Sequence, residues 1–318
     1  MSNADDRARV APELAALIDL LPELDFSQAI EVVRGPFAGR DGAPTPGSDG
    51  VDRQELFVPG PLGAPDVRVL LYTPSGDIER ARPALLHLHG GGYVLGQPEA
   101  NDASNRTLAR DHGCVVVSVD YRLAPETRFP GALEDCYAVL AWMGEQAAEL
   151  ALDVARIAVG GESAGAGHAA ALALHARDRG GPPICFQMLD APMLDDRTCA
   201  AEPHPYGGRF VWSPDMNRFG WQALLGVEPG GPAVPENAAP ARAQDLAGLP
   251  PTFIAVGALD LFLDEDLDYA RRLARAGVPV ELHVIPGAYH GFGLVPAVPQ
   301  TLMLTRLKDE ALRRAFAR

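Results

Sequence analysis

Seven short apolar runs, separated by turn residues and helical stretches, restrict this chain more than any other feature: Val67 to Tyr72, Ala84 to His89, Val115 to Tyr121, Ile157 to Gly160, Phe186 to Leu189, Thr252 to Val256 and Val280 to Ile285. A strand with one wet face alternates apolar and polar residues. A strand covered on both faces does not. Helical spacing falls between these runs, near Asn101 to Asp111, Ala132 to Glu149, Ala164 to Arg177, Asp264 to Ala276 and Gln300 to Ala317. Buried strands alternating with helices predict an α/β fold with a mainly parallel central sheet flanked by helices.

Two stretches depart from this rhythm. Val10 to Val33 reads as an amphipathic helix, with Leu14, Leu17, Ile18 and Leu21 before Pro22 and Phe26, Ile30 and Val33 after it, and Gly35 to Gly50 reads as a linker. Between Thr198 and Glu236, Phe210, Trp212, Phe219 and Trp221 occur among prolines and glycines, with helical spacing from about Asp215 to Leu225. The expected organisation is an N-terminal helical segment with linker (1–50), a first core part (51–197), an insertion over the sheet edge (198–236) and a second core part (237–318).

Gly161-Glu162-Ser163-Ala164-Gly165 follows the Arg156 to Gly160 strand and opens an alanine-rich helix. G-x-S-x-G on its own also describes an ordinary glycine turn. Between a strand and a helix it describes a nucleophile elbow, in which the flanking glycines let the two elements approach while the serine Oγ projects. Ser163 is therefore the candidate nucleophile. Serine is a weak nucleophile at neutral pH and needs a base, a partner orienting that base and an anion site.

For the anion site, the run Leu85 to Leu88 ends in His89-Gly90-Gly91-Gly92-Tyr93. Without Cβ atoms, the amides of Gly91 and Gly92, joined by that of Ala164, can face a substrate oxygen. A flexible turn or a phosphate cradle is the alternative, although neither G-x-x-x-x-G-K-[ST] nor G-x-G-x-x-G is present. His89 reads as a residue that holds this backbone in place.

The base is His290, in Gly287-Ala288-Tyr289-His290-Gly291-Phe292 just past the last strand. His283 lies within that strand and reads as structural. His168 and His175 fit a helix face or buried polar positions, and His87, His112 and His204 have no motif around them. The acid should follow a strand between serine and histidine, which selects Asp260 after Thr252 to Gly257; Asp264, Glu265 and Asp266 compete but suit the acidic first turn of the next helix.

A net charge of −15 and a sequence pI of about 4.9 argue against nucleic acid or anionic lipid as partners. Lys308 is the only lysine beside abundant arginine, a bias ascribed to composition. Cys114, Cys136, Cys185 and Cys199 form no CxxC pair; Cys114 and Cys185 are expected as buried thiols, and no metal site is expected. Met1 to Pro12 has no basic flank followed by an apolar run, and no stretch approaches the ~20 apolar residues of a membrane span. Neither signal peptide nor stable membrane insertion is expected, and the default location is cytoplasmic.

In sequence order, His89-Gly90-Gly91-Gly92, Asp120-Tyr121-Arg122-Leu123-Ala124-Pro125-Glu126, Gly161-Glu162-Ser163-Ala164-Gly165, Asp260 with the acidic cluster Asp264 to Asp266, and His290-Gly291-Phe292 resemble the hormone-sensitive-lipase-like branch of the α/β hydrolases, bacterial carboxylesterases related to arylacetamide deacetylases. The resemblance runs from about Ala84 to the C-terminus. It implies an α/β-hydrolase fold with a small helical cap made by the N-terminal helices and the insertion, a Ser163, Asp260 and His290 triad, and Gly91, Gly92 and Ala164 as oxyanion donors. It further implies hydrolysis of short- to medium-chain acyl esters without a cofactor, and a homodimer through the last strand and a neighbouring helix. Two positions depart from the pattern: Glu162, where Asp or Thr is commoner, and Ala166, where some members have glycine. The serine nucleophile argues against haloalkane or epoxide chemistry. Amide hydrolysis stays a rival, as does a binding role on a broken triad. The aromatic residues of the insertion read equally as pocket lining or as cap packing.

Overall fold

The computed structural model describes all residues except 1–3, 17, 21–24, 27, 36–49, 77–79, 203 and 318. Among the described residues the strands β1 (Val51–Val58), β2 (Val67–Pro74), β3 (Arg82–Leu88), β4 (Val115–Asp120), β5 (Leu152–Glu162), β6 (Phe186–Asp190), β7 (Thr252–Gly257) and β8 (Val280–Ile285) form one eight-stranded sheet. Their order is β1-β2-β4-β3-β5-β6-β7-β8. From β4 to β8 all neighbours pair in parallel, whereas β2 is antiparallel to both β1 and β4.

The unbroken apolar runs are explained by cover on both faces. Leu86, Val117, Val159 and Ile254 pack into one core with Val139 and Leu140 of α5 (Gly131–Glu145), Leu172 of α6 (Ala164–Arg179) and Tyr269 and Leu273 of α8 (Leu263–Arg275). Their chain neighbours Leu85, Val116, Ala158 and Phe253 pack into a second core with Ala109 of α4 (Asp102–His112) and Leu304, Ala311 and Leu312 of α9 (Pro299–Phe316). Each strand thus sends successive side chains into two different cores. All seven strands expected from the sequence are present.

β1 was not expected. Its sequence, VDRQELFV, buries only Val51 and Val58. It exists because every residue pairs in register with β2, from Val51 opposite Pro74 to Val58 opposite Val67. A mostly polar edge strand carries little signal of its own.

The N-terminal segment also differs from a helix broken once at Pro22. The described parts are α1 (Ala4–Arg7), α2 (Pro12–Ala15), a 3₁₀ turn at Ile18–Leu20 and α3 (Ile30–Arg34). Leu17, Leu21, Pro22 and most of the Gly35 to Gly50 linker lie outside the described residues. Tertiary bonds replace helix continuity: the Ala11 amide donates to Gly287 O at 2.9 Å and the Tyr289 hydroxyl to Leu14 O at 3.2 Å. Arg34 donates to Val94 O and Ala124 O, each at 2.8 Å, and pairs with Glu126 at 2.7 Å. These bonds tie α3 to the loops after β3 and β4.

The insertion contains α7 (Pro214–Leu225), started by the Ser213 hydroxyl, which accepts from the Met216 amide, and ended by Gly226 at φ 69°. Farther along, Arg242 donates to buried Asp196 at 2.6 and 2.9 Å, and Asp196 also accepts from the Gly230 amide at 2.5 Å. Removing the cation leaves a buried carboxylate unpaired. Arg242→Met is therefore expected to lower stability by roughly 3 kcal/mol, measured by urea denaturation at neutral pH.

Candidate active site

The chain leaves β3 for β4 on one side and returns to β5 on the other, so the winding reverses at the carboxyl ends of β3 and β5, the place where open α/β sheets build their sites. Ser163 sits there, between the end of β5 and the start of α6, at φ 55° and ψ −120°. Such a backbone costs on the order of 1–3 kcal/mol for a residue with a side chain. Three hydrogen bonds hold it. The Ser163 amide donates to Asp190 O at 2.8 Å, and Ser163 O accepts from the Gly167 amide at 3.0 Å and the Met193 amide at 3.1 Å.

The motif glycines are required by contact. A Cβ on Gly161 would stand 2.2 Å from Leu88 O, and one on Gly165 would stand 2.1 Å from Leu88 O and 2.4 Å from His89 O. The end of β3 therefore lies directly against the elbow. The glycine loop itself follows a similar rule: Gly91 has φ 129° and Gly92 φ 58°, and a Cβ on Gly92 would meet the Trp212 ring at 2.0 Å. Ala164 begins α6, where the amide has no acceptor within the helix.

His290 lies beyond β8, with Nε2 2.9 Å from Ser163 Oγ and Nδ1 2.8 Å from Asp260 Oδ2. The other oxygen of Asp260 accepts from the Phe262 amide at 3.0 Å. Asp260 is fully buried and His290 nearly so. Phe262 meets the imidazole edge to face at 5.1 Å between ring centroids, and Trp212 lies 6.3 Å away on a tilted plane.

Asp264, Glu265 and Asp266 occupy the first turn of α8, as their sequence position suggests. Glu265 accepts from the Leu194 and Asp195 amides at 2.6 and 3.1 Å and from the Thr198 hydroxyl. Asp266 is buried with neither oxygen bonded to a described residue. Burial, then the charges of Glu265 and Asp260, push its carboxyl well above the ordinary range.

His89 holds backbone. Its Nδ1 lies 2.9 Å from Gly90 O, and its ring stacks on Tyr121 at 4.2 Å. The Tyr121 hydroxyl donates to His89 O at 2.5 Å. Burial lowers its pKa to about 4, so the ring is neutral at working pH. His168 is buried between Tyr93 and Tyr121 and brought to about 3, again by burial. His175 is buried beside Glu134, and His283 lies 2.8 Å from Glu281 on β8.

The 120–126 segment, which carries a resemblance but no role in the sequence, proves to be a brace for the glycine loop. Tyr121 holds His89, the Ala124 amide donates to Tyr93 O at 3.0 Å, and Arg122 is locked by Asp135 through bonds of 2.7 and 2.8 Å. His87 was also passed over. Its Nε2 lies 3.2 Å from Glu162, the residue before Ser163.

Of the insertion aromatics, Trp212 contacts the glycine loop and joins Phe219 around Phe26, at 6.1 Å from Phe26 to Trp212 and 4.7 Å from Phe26 to Phe219. Trp221 packs on Tyr93 at 5.1 Å and Phe210 on Tyr289 at 5.9 Å. Cys114 is a buried thiol as expected, whereas Cys185 is only partly buried. Gly165→Ala is expected to lower stability by roughly 1–3 kcal/mol, read as a lower urea midpoint, because its added carbon meets backbone that no rotamer can move.

Comparison with known proteins agrees with this geometry. A family model described as the alpha/beta hydrolase fold matches residues 85–294. The chain is 35% identical to esterase LipI of Mycobacterium tuberculosis over 94% of both chains, and 38% identical to carboxylesterase NlhH of the same organism over 80% of both. Among solved structures, a bacterial heroin esterase shares 40% identity with a TM-score of 0.90, covering 97% of this chain and 98% of that one. Esterase LipW from Mycobacterium marinum shares 36% with a TM-score of 0.85, over 98% and 97%. The motifs in the glycine loop, elbow and histidine loop therefore sit in the fold that their resemblance implied, and the chain belongs to the α/β-hydrolase fold family, among its carboxylic ester hydrolases.

Proposed function

We propose that this carboxylic ester hydrolase cleaves short- to medium-chain acyl esters through an acyl-enzyme intermediate, with Ser163 as nucleophile, His290 as base and Asp260 as its orienting acid. The observation that carries the reading is the unbroken relay from Ser163 Oγ to His290 Nε2 and from His290 Nδ1 to Asp260. As a carboxylate, Asp260 only accepts hydrogen bonds. It thus keeps the proton on Nδ1 and leaves Nε2 to accept from the serine.

Ser163 Oγ attacks the acyl carbon as its proton passes to His290 Nε2. The carbonyl electron pair moves onto oxygen, where the amides of Gly91, Gly92 and Ala164 stabilise the anion. Collapse expels the alkoxide, which takes the proton from His290. Water then repeats the sequence on the acyl-serine and releases the acid. Asp260 steadies the imidazolium without taking its proton.

The α3 segment and the insertion are assigned as the cap over this site, with Phe26, Trp212 and Phe219 as its apolar lining. The closeness of Trp212 to His290 and the glycine loop favours small acyl groups. A homodimer through the half-exposed β8 edge remains part of the proposal, supported by the open backbone of that strand.

Initial rates on p-nitrophenyl esters of increasing acyl length test the reading. The parent is expected to turn over with an optimum at short chains, and Ser163→Ala, folded by circular dichroism, to lose at least about 10³-fold in kcat. A folded parent without turnover, or a variant that keeps its rate, overturns it. In the same series Trp212→Ala is expected to move the optimum towards longer acyl groups.

A further inference from the structure

Lys308 is the only lysine among the 27 Lys and Arg residues of this chain. It projects from α9 beneath the carboxyl ends of β5 and β6, its side chain only 17% exposed, with Nζ 3.0 Å from Asp190 Oδ2 and 3.7 Å from Glu162 Oε1. These two carboxylates face each other across the register of β5 and β6. Both are joined to the elbow. Glu162 is bonded in sequence to Ser163, and Asp190 O accepts the Ser163 amide.

Two carboxylates side by side at a largely buried position repel each other. Among the described cations, Lys308 is the one that contacts both. A guanidinium spreads its charge over a planar fork, whereas an ammonium is a compact charge that fits between two oxygens under a helix. A chain that otherwise uses arginine has lysine here. We propose that Lys308 is a positioning residue for hydrolysis: its ammonium offsets one of the two carboxylates that flank Ser163, and so sets the field in which His290 gains and gives up its proton. The inference rests on Ser163 and His290 as nucleophile and base.

The surrounding charges support this arrangement. Burial alone would raise Glu162, but His87 and Lys308 bring it down to about 2, so it is ionised throughout the working range. Burial raises Asp190, with Lys308 opposing that shift and His290 within range of its charge. Burial would lower Lys308, but Asp190 and Glu162 raise it above the ordinary lysine value. The other groups facing the cluster are His87 on β3, His89 in the glycine loop, Tyr121 after β4 and Asp266 in the first turn of α8, while Asp260, just before α8, lies against His290. Asn101 adds a neutral donor to Glu162 at 3.4 Å.

The sign follows from charge. Without Lys308 no ammonium offsets Asp190 and Glu162, the imidazolium is favoured and the acidic limb of kcat/KM moves to higher pH. Without the Glu162 charge, the ammonium cancels Asp190 and the limb moves to lower pH. Profiles of kcat and kcat/KM against pH on p-nitrophenyl acetate, for the parent, Ser163→Ala, Lys308→Met, Glu162→Gln and the Lys308→Met/Glu162→Gln double variant, test this. The expected shifts are roughly half to one pH unit upward for Lys308→Met and downward for Glu162→Gln, with the double variant returning towards the parent.

A purely structural lysine predicts lower rates with the limb unmoved and no restoration in the double variant, and that result overturns the inference. If Lys308→Met does not fold, the near-isosteric Glu162→Gln decides alone: an unmoved limb overturns the proposal. Turnover that survives in Ser163→Ala overturns the reading of the site, and this inference with it.

Discussion

Backbone contact between the end of β3 and the elbow after β5 is the constraint on which the site depends. Gly161 and Gly165 bring the elbow so close to Leu88 O and His89 O that neither position has room for a Cβ. That closeness sets the glycine loop beside Ser163 and lets the Asp190 carbonyl, with the Met193 and Gly167 amides, hold the serine at φ 55°. A side chain held in an unfavourable backbone needs surroundings that leave it no alternative. Here they are two buried parallel strands and a buried helix, which deform little.

Around that clasp, the loops are braced instead of free. Tyr121 and Ala124 hold the glycine loop from the β4 side, Arg34 reaches it from the N-terminal segment, and Trp212 closes over Gly92 from the insertion. Three segments distant in sequence therefore fix one short loop.

The carboxylates near the site meet different surroundings. Asp260 lies 2.8 Å from His290 Nδ1 and accepts from an amide, Glu162 is held ionised beside His87 and Lys308, and Asp266, without a hydrogen-bond partner among the described residues, is raised by its burial. Hydrogen-bond partners and nearby charges separate acids that composition counts alike.

The sequence by itself determined the α/β class, the strand-turn-helix around Ser163 and the order of Ser163, Asp260 and His290, because apolar periodicity and glycine spacing are local properties read over a few residues. Other features had no local signature. β1 is a strand only through its pairing with β2, and the N-terminal pieces are held by bonds to residues near 124 and 287. Lys308 passes for a compositional remainder until α9 sets it beside Asp190, 118 positions away. The relay itself spans 127 positions between Ser163 and His290. The sequence names both residues, but only the folded sheet decides that they lie within hydrogen-bonding distance, since such contacts depend on strand order and crossover geometry, which no local pattern encodes.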